Sequence, residues 1–123
     1  MLNQVMLIGR LVKKPELRES ESGLSYLKST IAVQSQYRSK DGEYEVEFLE
    51  FTAFGKVAKN TATYCDKGSM INIIGSLTNN VYKDKKGINH YQISIIANKV
   101  NFLSKGNKKE EIKDTEDIFT LGQ

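Results

Sequence analysis

The chain has 123 residues, 39% of them apolar and 27% charged, enough for one globular domain with residues left over for a tail. No run approaches the ~18 apolar residues that a membrane helix requires, and MLNQVMLIGR lacks the basic leader and cleavage site of a signal peptide. One cysteine, Cys65, excludes an internal disulfide framework and a cysteine zinc cage, and one histidine, His90, excludes a multi-histidine metal centre. The expectation is a cytoplasmic protein with no metal, no cofactor, no membrane association and no enzymatic activity.

Charge is unevenly placed. Residues 1–106 hold 15 Lys+Arg against 10 Asp+Glu, a formal +5, whereas residues 107–123 hold 3 against 5, a formal −2. A basic body with an acidic tail suits a polyanionic partner for the body, although +5 also serves solubility alone.

In chain order, residues 4–12 (QVMLIGRLV) form a near-continuous apolar run that reads as a buried strand. Pro15 then interrupts any ladder, and Ser22-Gly23 marks a turn. Residues 24–38 read as a second strand, joined through the hairpin signal Asp41-Gly42 to a third at 44–54. Residues 56–65 (KVAKNTATYC) fit a helix, with Val57, Thr61 and Tyr64 at helical spacing, Ala58 and Cys65 alongside, and Gly68 as its C-terminal cap. Cys65 reads as a small buried residue of that helix. Residues 68–79 read as a fourth strand with a bulge or tight bend at Gly75. DKKG at 84–87 is a second hairpin loop, and residues 89–103 are the last strand. SKGNKKEEIKD is too polar to bury a core and reads as disordered linker before TEDIFTLGQ. The predicted fold is all-β: a five-stranded OB-fold Greek-key barrel with one short helix between strands 3 and 4, spanning residues 1–104, followed by a linker and acidic tail over 105–123.

Candidate function comes from aromatics on the polar side of a strand. In VEFLEFTAF (46–54), alternation sends Leu49, Phe51 and Ala53 to one face and Phe48, Glu50, Thr52 and Phe54 to the other. Glu45 and Glu47 share parity with the core set, so the strand must bend or bulge there, or the strand assignment fails. Two phenylalanines on a polar face suit base stacking, worth ~1–3 kcal/mol per base whatever its identity; they equally suit packing under the helix or at a subunit interface. Both hairpins interleave an aromatic with cations: Tyr37 with Arg38 and Lys40 in QYRSKDG, and Tyr82 with Lys83, Lys85 and Lys86 in VYKDKKG. Cations meet phosphates and rings meet bases. A tyrosine filling a cross-strand pair is the structural alternative. His90, beside Tyr91, reads as a polar residue of the strand surface with no nucleophile to serve.

LNQVMLIGRL with PELR, EFLEFTAFGK, and NTATYCDKGS resemble the bacterial single-stranded DNA-binding protein family (SSB) over about residues 1–104. The resemblance implies an OB-fold, a homotetramer, and sequence-independent binding of single-stranded DNA in replication, recombination and repair, in the cytoplasm and on the nucleoid. By motif it assigns stacking to Tyr37, Phe48, Phe54 and Tyr82, and phosphate contact to Arg38, Lys40, Lys56 and Lys67; Lys83, Lys85 and Lys86 join them on chemistry alone. Four features depart from the family. Tryptophan is absent, which implies weaker stacking per base. Glu50 stands between the two strand aromatics, either paired with a cation or lowering affinity. Asn79-Asn80 stand where many relatives carry basic residues. The tail keeps only Glu116-Asp117-Ile118-Phe119 of the family's acidic tip, without its proline. It reads either as an acidic disordered end or as a divergent peptide in which Asp117, Ile118 and Phe119 dock replication or recombination proteins, and its shortness points to a competence, plasmid or phage type. An RNA-binding or primosome-type OB module, and a protein-interaction module with aromatics at its interface, remain open readings. No phosphate-binding glycine loop, acidic metal cluster or catalytic triad is present in the sequence.

Overall fold

The computed structural model describes residues 1–105. The expected linker and tail, with Asp117, Ile118 and Phe119, lie outside the described residues. The elements run β1 (Val5–Leu11), β2 (Arg18–Glu19), β3 (Ser25–Arg38), β4 (Tyr44–Phe54), α1 (Gly55–Tyr64), β5 (Met70–Lys83) and β6 (Asn89–Ser104). The sheet order is β1-β5-β6-β4-β3-β2, and an additional β1–β3 pairing closes five strands into a barrel. The helix lies between β4 and β5, as the OB-fold layout requires. The two-residue β2, which pairs with Tyr26 and Ser25, is an addition that the sequence did not signal.

Closure is economical. β4 and β6 run parallel through three residue pairs, Phe51–Ile95, Thr52–Ile96 and Ala53–Ala97. β1 meets β3 through two, Arg10–Ala32 and Leu11–Ile31. The remaining ladders are antiparallel, with β1 on β5 over Val5–Arg10 and β5 on β6 along almost their whole length. Inside sit Leu11, Leu27, Ile31, Phe51, Ile71 and Ile73, joined by the small Ala53, Ala58, Cys65 and Ala97. The alternation on β4 emerges as expected: Phe51 and Ala53 are buried, and Phe48, Glu50 and Phe54 are exposed.

Three local expectations need correction. The apolar run of β1 is not buried throughout. Leu7, Gly9 and Leu11 face inward, while Met6 and Ile8 are exposed on the outer surface; the run looked continuous because that outer face is also apolar. Tyr64 shares helical spacing with Val57 and Thr61, yet it is exposed, because α1 buries only the narrow stripe of Ala58 and Thr61. Gly68 does not cap the helix. Cys65, in extended conformation, is the C-cap, and Gly68 lies in the following turn at φ +83, donating its N–H to Leu11 O (2.8 Å). Burial pushes the Cys65 thiol up, which leaves it un-ionised and inert.

Gly75 is the close approach that its position in β5 suggested. The β5–β6 register shifts at Ile74/Gly75, and a Cβ on Gly75 would collide with the Ile96 carbonyl. The obstacle is backbone on the strand that closes the barrel, so it cannot step aside cheaply. Gly75→Ala is expected to destabilise the protein by about 1–3 kcal/mol, the range of overpacking in a tight core, read from urea unfolding; a change under about 0.5 kcal/mol, the range of neutral surface substitutions, would contradict this account.

Candidate nucleic-acid interface

Beyond the barrel, two pairs of strands continue as two-stranded arms. On the β3–β4 arm the regular register ends at Gln34–Val46 and resumes, after an irregularity on β3, at Arg38–Tyr44. Residues 40–48 are all exposed. This resolves the parity of Glu45 and Glu47. The ladder is irregular opposite this segment, the extra residues lying on β3, and residues 40–48 extend beyond the barrel, so both faces of β4 meet solvent there. The second arm is the β5–β6 hairpin, exposed from Leu77 to Lys83 and from Lys85 to Ile93. Each tip is a turn with a positive-φ glycine. Ser39 N–H donates to Glu43 O and Gly42 N–H to Ser39 O; Asp84 N–H donates to Ile88 O and Gly87 N–H to Asp84 O. Asn-, Asp- or Ser-led turns that end in a left-handed glycine match the twist of a β-ribbon, which is why SKDG and DKKG set these tips.

The four sequence-derived aromatics are all exposed: Tyr37 78%, Phe48 67%, Phe54 42% and Tyr82 53%. Phe48 and Phe54 share the outer face of β4, six residues apart, or about 20 Å along the strand. Opposite them on β3 stand Ala32 and Tyr26. Tyr37 lies on the first arm and Tyr82 on the second, so the four fall on three separate segments. Arg38, Lys40, Lys56, Lys67, Lys83, Lys85 and Lys86 are all exposed, and none forms an ion pair among the described residues. Arg38 and Lys40 sit at the first arm's tip, and Lys83, Lys85 and Lys86 at the second's. Lys56 and Lys67 flank the helix instead, at its first turn and in the turn after it.

Between the arms, β6 diverges from β4 upstream of their three paired residues. The divergence opens a groove of about 310 Å³ lined by Lys28, Thr30, Glu50 and Thr52 from the β3–β4 side and by Asn80 and Gln92 from the β5–β6 side. Asn80 Nδ2 donates to Ser94 Oγ (2.6 Å). Glu50 has no ion-pair partner among the described residues, although Lys13 and Lys28 line the same groove. A free carboxylate repels phosphate and accepts from amino groups, so this part of the groove suits base edges better than backbone.

Pattern reading missed two further exposed rings on the arms. Tyr44 pairs across the first arm with Arg38, whose guanidinium lies 4.8 Å from the ring centroid and donates from Nη2 to Tyr44 Oη (3.1 Å). Counting across the Asp41-Gly42 turn would have found it. Tyr91 is exposed on the second arm, opposite Val81. Tyr82 does fill a cross-strand pair, since it stacks on His90, so the structural alternative holds for that residue while leaving it more than half exposed.

A five-stranded barrel whose outer strand face carries spaced aromatics, with two cation-tipped arms on either side of an open groove, is an OB-fold module of the kind that takes an unpaired polynucleotide. Residues 2–103 match the single-strand binding protein family, and the chain belongs to it. It is 38% identical over 103 residues to single-stranded DNA-binding protein B of Bacillus subtilis, covering 84% of this chain and 91% of that protein. It is 35% identical to single-stranded DNA-binding protein 1 of Staphylococcus aureus (93% and 73% covered) and 38% identical to the single-stranded DNA-binding protein of Clostridium tetani (88% and 74% covered). The family is non-enzymatic. Among the described residues no helix is long and apolar enough to cross a membrane, and no group of three or more His, Cys, Asp or Glu could hold a metal.

Rings and cations should separate in their salt response. Phe54→Ala is expected to weaken binding of a single strand by about 1–3 kcal/mol with the salt slope unchanged, whereas Lys67→Ala should lower the slope of log K against log salt by about 0.7, one phosphate's worth. Equal slopes for the two variants would refute that division.

Proposed function

We propose that the chain binds single-stranded DNA without reading its sequence and protects it in replication, recombination and repair, acting in the cytoplasm on nucleoid DNA. Residues 1–104 form the binding domain. Tyr37, Phe48, Phe54 and Tyr82 stack on bases, and Arg38, Lys40, Lys56, Lys67, Lys83, Lys85 and Lys86 take the phosphates. The observation that carries this reading is the exposure of Phe48 and Phe54 on a polar strand face between two arms of unpaired cations, in a member of a family whose relatives bear the name single-stranded DNA-binding protein. Aromatic faces and mobile cations are tolerant of sequence, whereas duplex DNA hides its π-faces.

The assembly proposed is a homotetramer. Two features support self-association. β1 pairs with β5 over Val5–Arg10 but with β3 only at Arg10 and Leu11, with Gly9 packed against the Ala32 carbonyl, so Val5–Ile8 present an open backbone edge. Beside that edge Met6, Ile8 and Val46 are exposed, with Met70 half-buried. An open edge beside exposed apolar side chains is a surface that soluble proteins normally cover. Four copies would also bring several stacking surfaces to one strand and raise its effective concentration at each. The acidic residues 105–123, through Asp117, Ile118 and Phe119, are proposed to contact replication or recombination proteins.

The test is fluorescence anisotropy with a labelled oligo-dT of about 35 nucleotides at two salt concentrations, against duplex and RNA competitors, alongside sedimentation equilibrium. Expected are binding that weakens with salt, no competition by duplex, weaker competition by RNA, and a mass four times 13.9 kDa. Phe48→Ala should lower affinity at unchanged mass. Absence of binding would overturn the function, and a loss of mass in Phe48→Ala would move that ring from the DNA face to the subunit interface, where its neighbour Val46 already points.

A further inference from the structure

We infer that His90 is itself a DNA-contacting residue: with Tyr82 it forms a two-ring platform on the β5–β6 arm, and it carries a protonatable charge to the phosphates passing the hairpin, so that affinity for single-stranded DNA is linked to pH. The inference rests on the reading of this arm as part of the DNA path.

Register places Tyr82 and His90 directly opposite one another. Their rings stack with centroids 5.2 Å apart and planes 18° from parallel. Tyr82 is therefore not a lone phenol on a flexible arm. One of its faces is covered by an imidazole, and the pair presents a wider stacked surface than either ring alone, in a chain that has no tryptophan. The imidazole is held by a third residue. Asp84 Oδ2 accepts from His90 Nε2 (2.8 Å), while Asp84 Oδ1 accepts from the N–H groups of Lys86 (2.8 Å) and Ile88 (3.0 Å). One carboxylate thus shapes the turn with one oxygen and orients the platform with the other. The hydrogen bond from His90, followed by those from the turn's backbone, holds the Asp84 carboxyl below the usual carboxylate range.

The groups facing the imidazole are Tyr82 from β5 and Asp84 from the turn; Lys83, Lys85 and Lys86 are the cations of the same hairpin, and His90 makes no other ion pair among the described residues. With His90 neutral, Asp84 offsets one of those three lysines. With His90 protonated, Asp84 is balanced by the imidazolium and the three lysine charges all face the polyanion. Bound phosphate favours the protonated form, so binding takes up protons. Affinity is greatest on the acid side and declines as pH rises.

The experiment is anisotropy with oligo-dT, whose bases do not titrate between pH 5.5 and 7.5, on the full chain and on His90→Phe, His90→Ala and Asp84→Asn. The wild type is expected to bind about two- to fivefold more tightly at pH 5.5 than at 7.5, the range of one exposed charge pair. His90→Phe keeps a ring on Tyr82 and should bind as the wild type does at pH 7.5 but without pH dependence. His90→Ala should be weaker throughout and equally flat. Asp84→Asn retains an oxygen for the turn's N–H groups, and its pH response should differ from the wild type's. A wild type that is flat across this range, or a His90→Phe variant that keeps the full pH response, would overturn the inference. Tyr82→Ala at pH 7.5 separates the two levels. Weakened binding there with a flat wild type removes only the role of His90, and unchanged binding removes the arm from the DNA path altogether.

Discussion

Three parallel residue pairs hold this molecule in its working shape. Phe51–Ala53 against Ile95–Ala97 is the seam that turns a meander of hairpins into a barrel, and the largest buried side chain, Phe51, sits on that seam. The seam is short because β6 leaves β4 upstream of it, and that divergence is what opens the groove. A longer parallel register would give a tighter barrel without that groove. Gly75 serves the same seam from the other side, letting β5 bend against Ile96 where any side chain would hold the strands apart.

The chemistry is arranged around that opening by simple rules of strand geometry. Alternation turns Phe48 and Phe54 outward because Phe51 and Ala53 must go in. The two arms carry their cations at turns, where lysine and arginine side chains lose little by staying in water. Within the arms, pairing across the ribbon gives two of the rings a companion: Arg38 on Tyr44 and His90 on Tyr82.

Much of this was legible in the residues. The element order, the Asp41-Gly42 and DKKG turns, the special place of Gly75 and the outward phenylalanines all followed from local signals: periodicity, turn chemistry and an interrupted strand. What stayed hidden depends on partners far along the chain. Nothing local tells that residues 4–12 bury only every second side chain, because the exposed Met6 and Ile8 are as apolar as the buried Leu7 and Leu11. The carboxylates Glu45 and Glu47 looked misplaced only on the assumption that β4 stays on the barrel. Tyr64 keeps helical spacing with the core stripe, but α1 packs too narrowly to reach it. His90 looked like a surface polar residue until the hairpin register set it opposite Tyr82, with Asp84 within reach. The Thr61 hydroxyl, donating to Val57 O (2.7 Å) within the helix, shows the reverse case of a polar residue buried with its hydrogen bond satisfied.

The barrel's first strand is also the last to be satisfied. β1 takes its main partner from β5, with Met6 opposite Ile74 and Arg10 opposite Met70, and even Asn3, just before it, reaches Leu77, accepting from its N–H (2.9 Å) and donating to its carbonyl (2.7 Å). The two hairpin arms need only their own neighbours. During synthesis the chain therefore completes both arms from local contacts, while an apolar strand made at the outset waits some sixty residues for its mate. Long-range pairing of this kind is slow and leaves a sticky edge uncovered in the meantime. Strand β1 is thus where folding of this protein is most exposed to failure.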